Sequence, residues 1–118
     1  AGNYVGSSYA WATARDWSKL GLLYLQNGTW NGEELFNEKW VKYATKPTPT
    51  SDGWYGAQIW LNSGKRYPNA PKNMYFFSGY QGQNVFVFPD QDLVVVRMGL
   101  TKNADIDGLL SGIVKSIK

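Results

Sequence analysis

Residues 76–99 read FFSGYQGQNVFVFPDQDLVVVRMG. Two apolar runs, Val85–Phe88 and Leu93–Val96, flank the four-residue connection Pro89-Asp90-Gln91-Asp92. Aromatic and β-branched residues bounded by turn formers describe two antiparallel strands. Both faces of each run are apolar, so the sheet has to be covered on two sides. The rest of the chain must supply those covers, and that requirement sets the fold. Just upstream, Ser78-Gly79-Tyr80-Gln81-Gly82 carries two glycines. Glycine weakens a strand interior and marks a bulge or a place where a ligand or another backbone comes close.

Working outward, residues 74–77 (MYFF), 83–88 (QNVFVF) and 93–99 (LVVVRMG) read as strands, and residues 55–61 (YGAQIWL) as one more before the loop NSGKRYPNAPKN. Three or four antiparallel strands in a meander result. In the last segment Ile106, Leu109, Leu110, Ile113, Val114 and Ile117 recur at helical spacing, so a C-terminal helix should lie across one face. Near the start, TARDWSKLGLLYLQNG has Thr13 and Asp16 in a capping-box arrangement, with Trp17, Leu20, Leu23 and Tyr24 as its apolar stripe and Gly28 as its stop. A helix over about 14–26 follows, on the same layer or on the opposite face. Asn31-Gly32 is a two-residue turn signal, and Asn37 caps a short helix, EKWVKYA, expected to turn Trp40 and Val41 inward. Pro47 and Pro49 then impose a surface loop. The expected architecture is α+β, an antiparallel meander packed by an N-terminal and a C-terminal helix, in a single partial domain over 1–118.

Composition narrows the chemistry. The chain has 118 residues, 16% aromatic, and a formal charge of +3 with the basic residues scattered, which argues for a folded core and against nucleic acid as a partner. It contains no cysteine and no histidine. The first zero removes disulfides and thiolate metal sites; the second removes the commonest general base, the commonest metal ligand and any Ser-His-Asp triad. No cofactor or metal is expected. No apolar run reaches the ~20 residues of a membrane span. The opening residues, AGNYVGSSYA, lack the charged and apolar regions of a signal peptide, so we expect a chain already processed or truncated.

Three segments in order, SSYAWATARDWSKLGLLYLQNGTWNGEELFNEKWV, YGAQIWLN and SGYQGQNVFVFPDQDLVVVRMG, resemble the C-terminal part of serine hydrolases related to class C β-lactamases and penicillin-binding enzymes. The resemblance runs over about residues 7–115. It implies acyl-enzyme hydrolysis of a small-molecule ester, amide or lactam, built on a Ser-x-x-Lys nucleophile, a Tyr-x-Asn base region and a Lys-Thr-Gly or His-x-Gly triad on the strand lining the site. No serine here has lysine three residues later. Tyr67-Pro68-Asn69 matches the second motif literally, but too close to the third; it reads as a proline-stiffened loop. The nucleophile and base are therefore expected in a missing N-terminal portion of the same protein, which this chain would need as a partner, and the chain alone should not turn over.

The third motif aligns with Tyr80-Gln81-Gly82. By resemblance Gly82 allows substrate to approach the backbone, the N–H of Gln83 contributes to the oxyanion hole, and Tyr80 orients substrate. Tyr80 stands where Lys or His is usual and carries no positive charge at neutral pH, which favours an ester or amide over a penicillin-type carboxylate. Gln81 would line the substrate site, and Ser8 and Tyr9 its rim. Relatives are exported, so a periplasmic or secreted location is implied. Arg15 and Asp16 are explained by solvent and by helix capping, and Asp90 and Asp92 by a polar hairpin tip. A rival reading from another class is a non-catalytic carbohydrate- or ligand-binding module whose Trp11, Trp30, Trp54, Tyr55 and Trp60 stack on sugar faces; such modules are generally all-β.

Overall fold

A computed structural model describes Gly2 and residues 9–117. The elements in order are helix α1 (Ala14–Leu25), the hairpin strands β1 (Thr29–Trp30) and β2 (Glu33–Glu34), helix α2 (Glu38–Ala44), strands β3 (Trp60–Leu61), β4 (Tyr75–Ser78), β5 (Asn84–Phe88) and β6 (Leu93–Arg97), and helix α3 (Ile106–Ser116). The larger sheet has the order β3-β4-β5-β6, every neighbour antiparallel, so the chain is α+β with a four-stranded meander as expected.

Local chemistry sets the helix ends. Thr13 caps α1, its hydroxyl oxygen accepting from the Asp16 N–H at 3.2 Å while its O–H donates to the Asp16 carboxylate at 2.7 Å. Those bonds and the Lys19 ammonium at 2.8 Å hold the Asp16 carboxyl below its usual range, with Lys19 the larger cause. At the other end the Gly28 N–H reaches the Leu23 carbonyl and the Asn27 N–H that of Tyr24, a Schellman motif whose left-handed residue is Asn27, φ +55°, followed by Gly28 at φ +89°. Asn31 and Gly32, both at positive φ, form the turn of the small hairpin.

The two faces of the sheet carry separate cores. One holds Ala70, Met74, Phe76, Phe86 and Phe88 under Leu110, with Ile106 and Val114 of α3 against them. The other holds Leu61, Tyr75 and Val87 with Ala44 of α2, covered by Tyr24 and Leu25 of α1. The two long helices thus lie on opposite faces. Every residue of β5 is buried. Helix α1 can come this close because Gly21 has no side chain: a Cβ there would stand 2.6 Å from Val94 Cγ1 and 2.9 Å from Val85 Cγ1.

Several expectations need correction. The 55–61 strand shrinks to Trp60–Leu61 plus one bridge from Tyr55, because Gln58 sits at φ +63° and Gly56 packs on the Ala44 carbonyl, where a Cβ would clash. Trp40 faces outward and donates its indole N–H to the Tyr24 hydroxyl; α2 buries Val41 and Ala44, and a seven-residue helix has room inward for one stripe only. On α3 the inward set is Ile106, Leu110, Ile113 and Val114, while Leu109 and Ile117 are exposed. Among the described residues no helix is long and apolar enough to cross a membrane.

Candidate functional site

Strand β3 pairs only with Tyr75 and Phe76 of β4. Beyond Phe76, β4 has no paired strand on that side among the described residues. There Tyr80-Gln81-Gly82 departs from the expected strand. Gln81 and Gly82 take consecutive left-handed conformations, φ +61° and +82°, which no strand accommodates, so the triad forms the turn from β4 into β5. The Gly79 N–H donates to the Gln83 carbonyl at 2.7 Å and closes the base of that turn.

The two glycines have different reasons to be there. Gly79 is extended, φ −104° and ψ 176°, and a Cβ on it would make only ordinary contact with Gln83. Gly82 needs its positive φ, and a Cβ on it would press to 3.1 Å of Arg97 Nη1. Arg97 in turn donates Nη1 to the carbonyls of Gly82 and Gly99 at 2.9 and 3.0 Å. The Gln83 side chain ties the turn to the end of β6, donating Nε2 to the Gly99 carbonyl at 2.9 Å and accepting the Gly99 N–H at 2.8 Å. Among the described residues no backbone bond from the Gln83 N–H closes the turn, whereas the Asp92 N–H closes the next turn onto Pro89. Tyr80 and Gln81 are exposed, Tyr80 to 86%.

Across the sheet, Ser78, Asn84 and Arg97 stand in one row, paired directly in register. They share the α3 face, because they alternate in step with Phe76, Phe86 and Val95. This polar row ends the apolar core on that face and forms part of a cavity of about 340 Å³, bounded also by Arg66, Tyr67 and Ile106. Gly79 and Gly82 open onto the same cavity. Arg66 is placed by the loop after β3, which Asn62 organises: its buried amide donates to the carbonyls of Tyr67, Ala70 and Pro71 and accepts the Tyr67 N–H. The Arg66 guanidinium then lies 5.5–5.9 Å from the ring centres of Trp60, Tyr67 and Phe76.

Of the other residues singled out from sequence, Ser8 lies outside the described residues. Tyr9 is 86% exposed at φ +64°. Tyr67-Pro68-Asn69 serves structure, with Tyr67 edge-on to Phe76 and Phe86 and Asn69 held by Asp107 through two hydrogen bonds. Of the proposed sugar platform, Trp11 and Trp54 are exposed, whereas Trp60 is half-buried edge-on to Tyr55. Sequence reasoning passed over Asn84, Arg97 and Arg66. Strand register puts Asn84 beside Arg97, a pairing that follows from counting both strands back from the 89–92 turn. No family model matches the chain, and no protein of curated function matches it either.

Proposed function

We propose that residues 79–83 form the substrate wall of a β-lactamase-like serine hydrolase, acting by acyl-enzyme chemistry on an ester, amide or lactam. The supporting observation is the Gly79–Gln83 backbone, which extends past the end of β3 with the Gln83 N–H lacking a turn-closing backbone acceptor among the described residues. In this reading a reacting carbonyl takes the Gln83 N–H as one donor, half of an oxyanion hole. The second donor and the attacking hydroxyl belong to a Ser-x-x-Lys segment, which this chain does not contain. Tyr80, exposed at the lip, would present its phenol to the substrate and Gln81 its amide; Ser8 and Tyr9 are assigned to the rim by resemblance alone. The chain by itself performs no covalent step. The three α-helices among the described residues depart from the all-β architecture that the carbohydrate-module alternative expects.

The test is labelling with a fluorophosphonate, which reacts with activated serines. The 118-residue chain is expected to stay unlabelled, and the natural polypeptide that contains it is expected to label on one serine followed three residues later by lysine. Labelling of any serine within the chain, or none in the natural polypeptide, would refute the proposal.

A further inference from the structure

The cavity at the end of the sheet has a lopsided wall. Arg66 and Arg97 both line it, and none of its lining residues is acidic. Neither guanidinium has an ion-pair partner among the described residues, where the ion pairs are Lys19–Asp16 and Lys42–Glu38. The acids nearest along α3 are already engaged: Asp105 accepts from the Gly108 N–H, and Asp107 accepts from the Asn69 backbone and amide. Arg97 is held in plane by its two carbonyl bonds through Nη1, which leaves the remaining donors of its fork without an acceptor among the described residues. Arg66 is held by three aromatic rings and likewise lacks one.

Asn84 supplies an independent observation. It is 5% exposed and lines the same cavity. Its Nδ2 donates to the Gly82 carbonyl at 2.8 Å, and a carbonyl can only accept, so the amide orientation is fixed. That orientation leaves Oδ1 buried with no hydrogen-bond partner. A buried acceptor of this kind is costly unless something fills it.

We infer that this cavity binds a small organic carboxylate that also carries an N–H or O–H group, the carboxylate on Arg97 and Arg66 and the donor on Asn84 Oδ1. A bare inorganic anion would satisfy the arginines but offer further acceptors to Oδ1. Asn84 and Arg97 are direct cross-strand partners, with Cβ atoms about 4.5–5.5 Å apart, and both line the cavity, so one small ligand can engage the two. The inference rests on the cavity alone and stands whether or not an acyl group reacts at Gln83.

N-acetylglycine is a probe with this pattern; its methyl ester lacks the charge, N-acetylsarcosine lacks the N–H, and sulfate is the bare anion. Titrations followed by two-dimensional amide NMR should show N-acetylglycine moving the signals of Gly79, Gly82, Gln83 and Asn84. Its affinity should be at least tenfold above that of each of the other three, since losing a hydrogen bond to a charged group, or leaving the buried Asn84 Oδ1 without a donor, each costs about a factor of ten or more. Arg66→Met, at an exposed site where the aliphatic stem is kept, should weaken N-acetylglycine about tenfold without unfolding the chain, and Arg97→Lys should do the same if the turn survives. Equal affinity for acid and ester, equal affinity for sulfate or N-acetylsarcosine, shifts confined to other regions, or an unchanged affinity in Arg66→Met would each overturn the assignment.

Discussion

Replacing Gly21 by alanine pits two effects of known size against each other. In a helix interior alanine is better than glycine by about 1 kcal/mol, so on propensity alone Gly21→Ala stabilises α1. The new methyl, however, would sit 2.6 Å from Val94 Cγ1 and 2.9 Å from Val85 Cγ1. Carbon atoms rest about 3.5–4.0 Å apart, so roughly 1 Å has to be found from two stiff β-branched side chains in a covered sheet. Overpacking of this kind costs about 1–3 kcal/mol, and two simultaneous contacts place it in the upper half of that range. The expected net loss is about 1–2 kcal/mol, or about 4–8 °C in Tm at roughly 4 °C per kcal/mol. Urea titration followed by tryptophan fluorescence measures it. In a double-mutant cycle with Val94→Ala, which removes the nearest methyls, the coupling should be favourable by about 1–2 kcal/mol. A Gly21→Ala protein about 1 kcal/mol more stable than the parent, with no coupling to Val94, would refute the close helix–sheet contact.

Three further outcomes are expected. Gly79→Ala should leave stability within about 0.5 kcal/mol, because its backbone is extended and its space open, whereas Gly82→Ala should cost about 1–2 kcal/mol for the left-handed φ; both are read by denaturant titration. Asn62→Ala should cost about 2–4 kcal/mol, since it strands a buried N–H and three carbonyls in the loop that carries Arg66, and faster amide exchange over residues 63–71 would accompany it. Burial, with Tyr24 as a lesser cause, raises the Tyr75 phenol well above its ordinary value of 10.0. The unfolded phenol therefore releases its proton from about pH 10 while the folded one keeps it, and stability falls by up to about 1.4 kcal/mol per pH unit above that point; Tyr75→Phe should remove this alkaline loss relative to the parent.

Much of the fold was legible because local chemistry and tertiary packing agree. Thr13 with Asp16, Asn31-Gly32, Asn37 and the apolar runs on either side of residues 89–92 all lie where their chemistry places them. The failures have a common physical source, in that local pattern does not reveal which neighbour arrives. Trp40 has an inward-looking sequence context, yet Val41 and Ala44 take the buried face. Tyr80-Gln81-Gly82 resembled a strand triad, but Gln81 in the left-handed region turns it into a loop, and non-glycine residues give little warning of that conformation. At the candidate site the turn was visible through its glycines, while Arg66, Asn84 and Arg97 were not, because each sits singly in an unremarkable segment and only register and the Asn62-ordered loop bring them to one cavity.

The central claim is that the Gln83 N–H is an oxyanion donor, and one substitution isolates it. Gln83 has φ −73°, the value a proline ring imposes, so Gln83→Pro deletes the N–H with the local φ kept, and Gln83→Ala is the control that loses the same side-chain bonds to Gly99 but keeps the N–H. Measured in the longer polypeptide in which the proposal places the nucleophile, acylation by a p-nitrophenyl ester should be about 10²–10³ slower in Gln83→Pro than in Gln83→Ala, the effect of removing one such donor. Equal acylation rates in the two variants would contradict the claim.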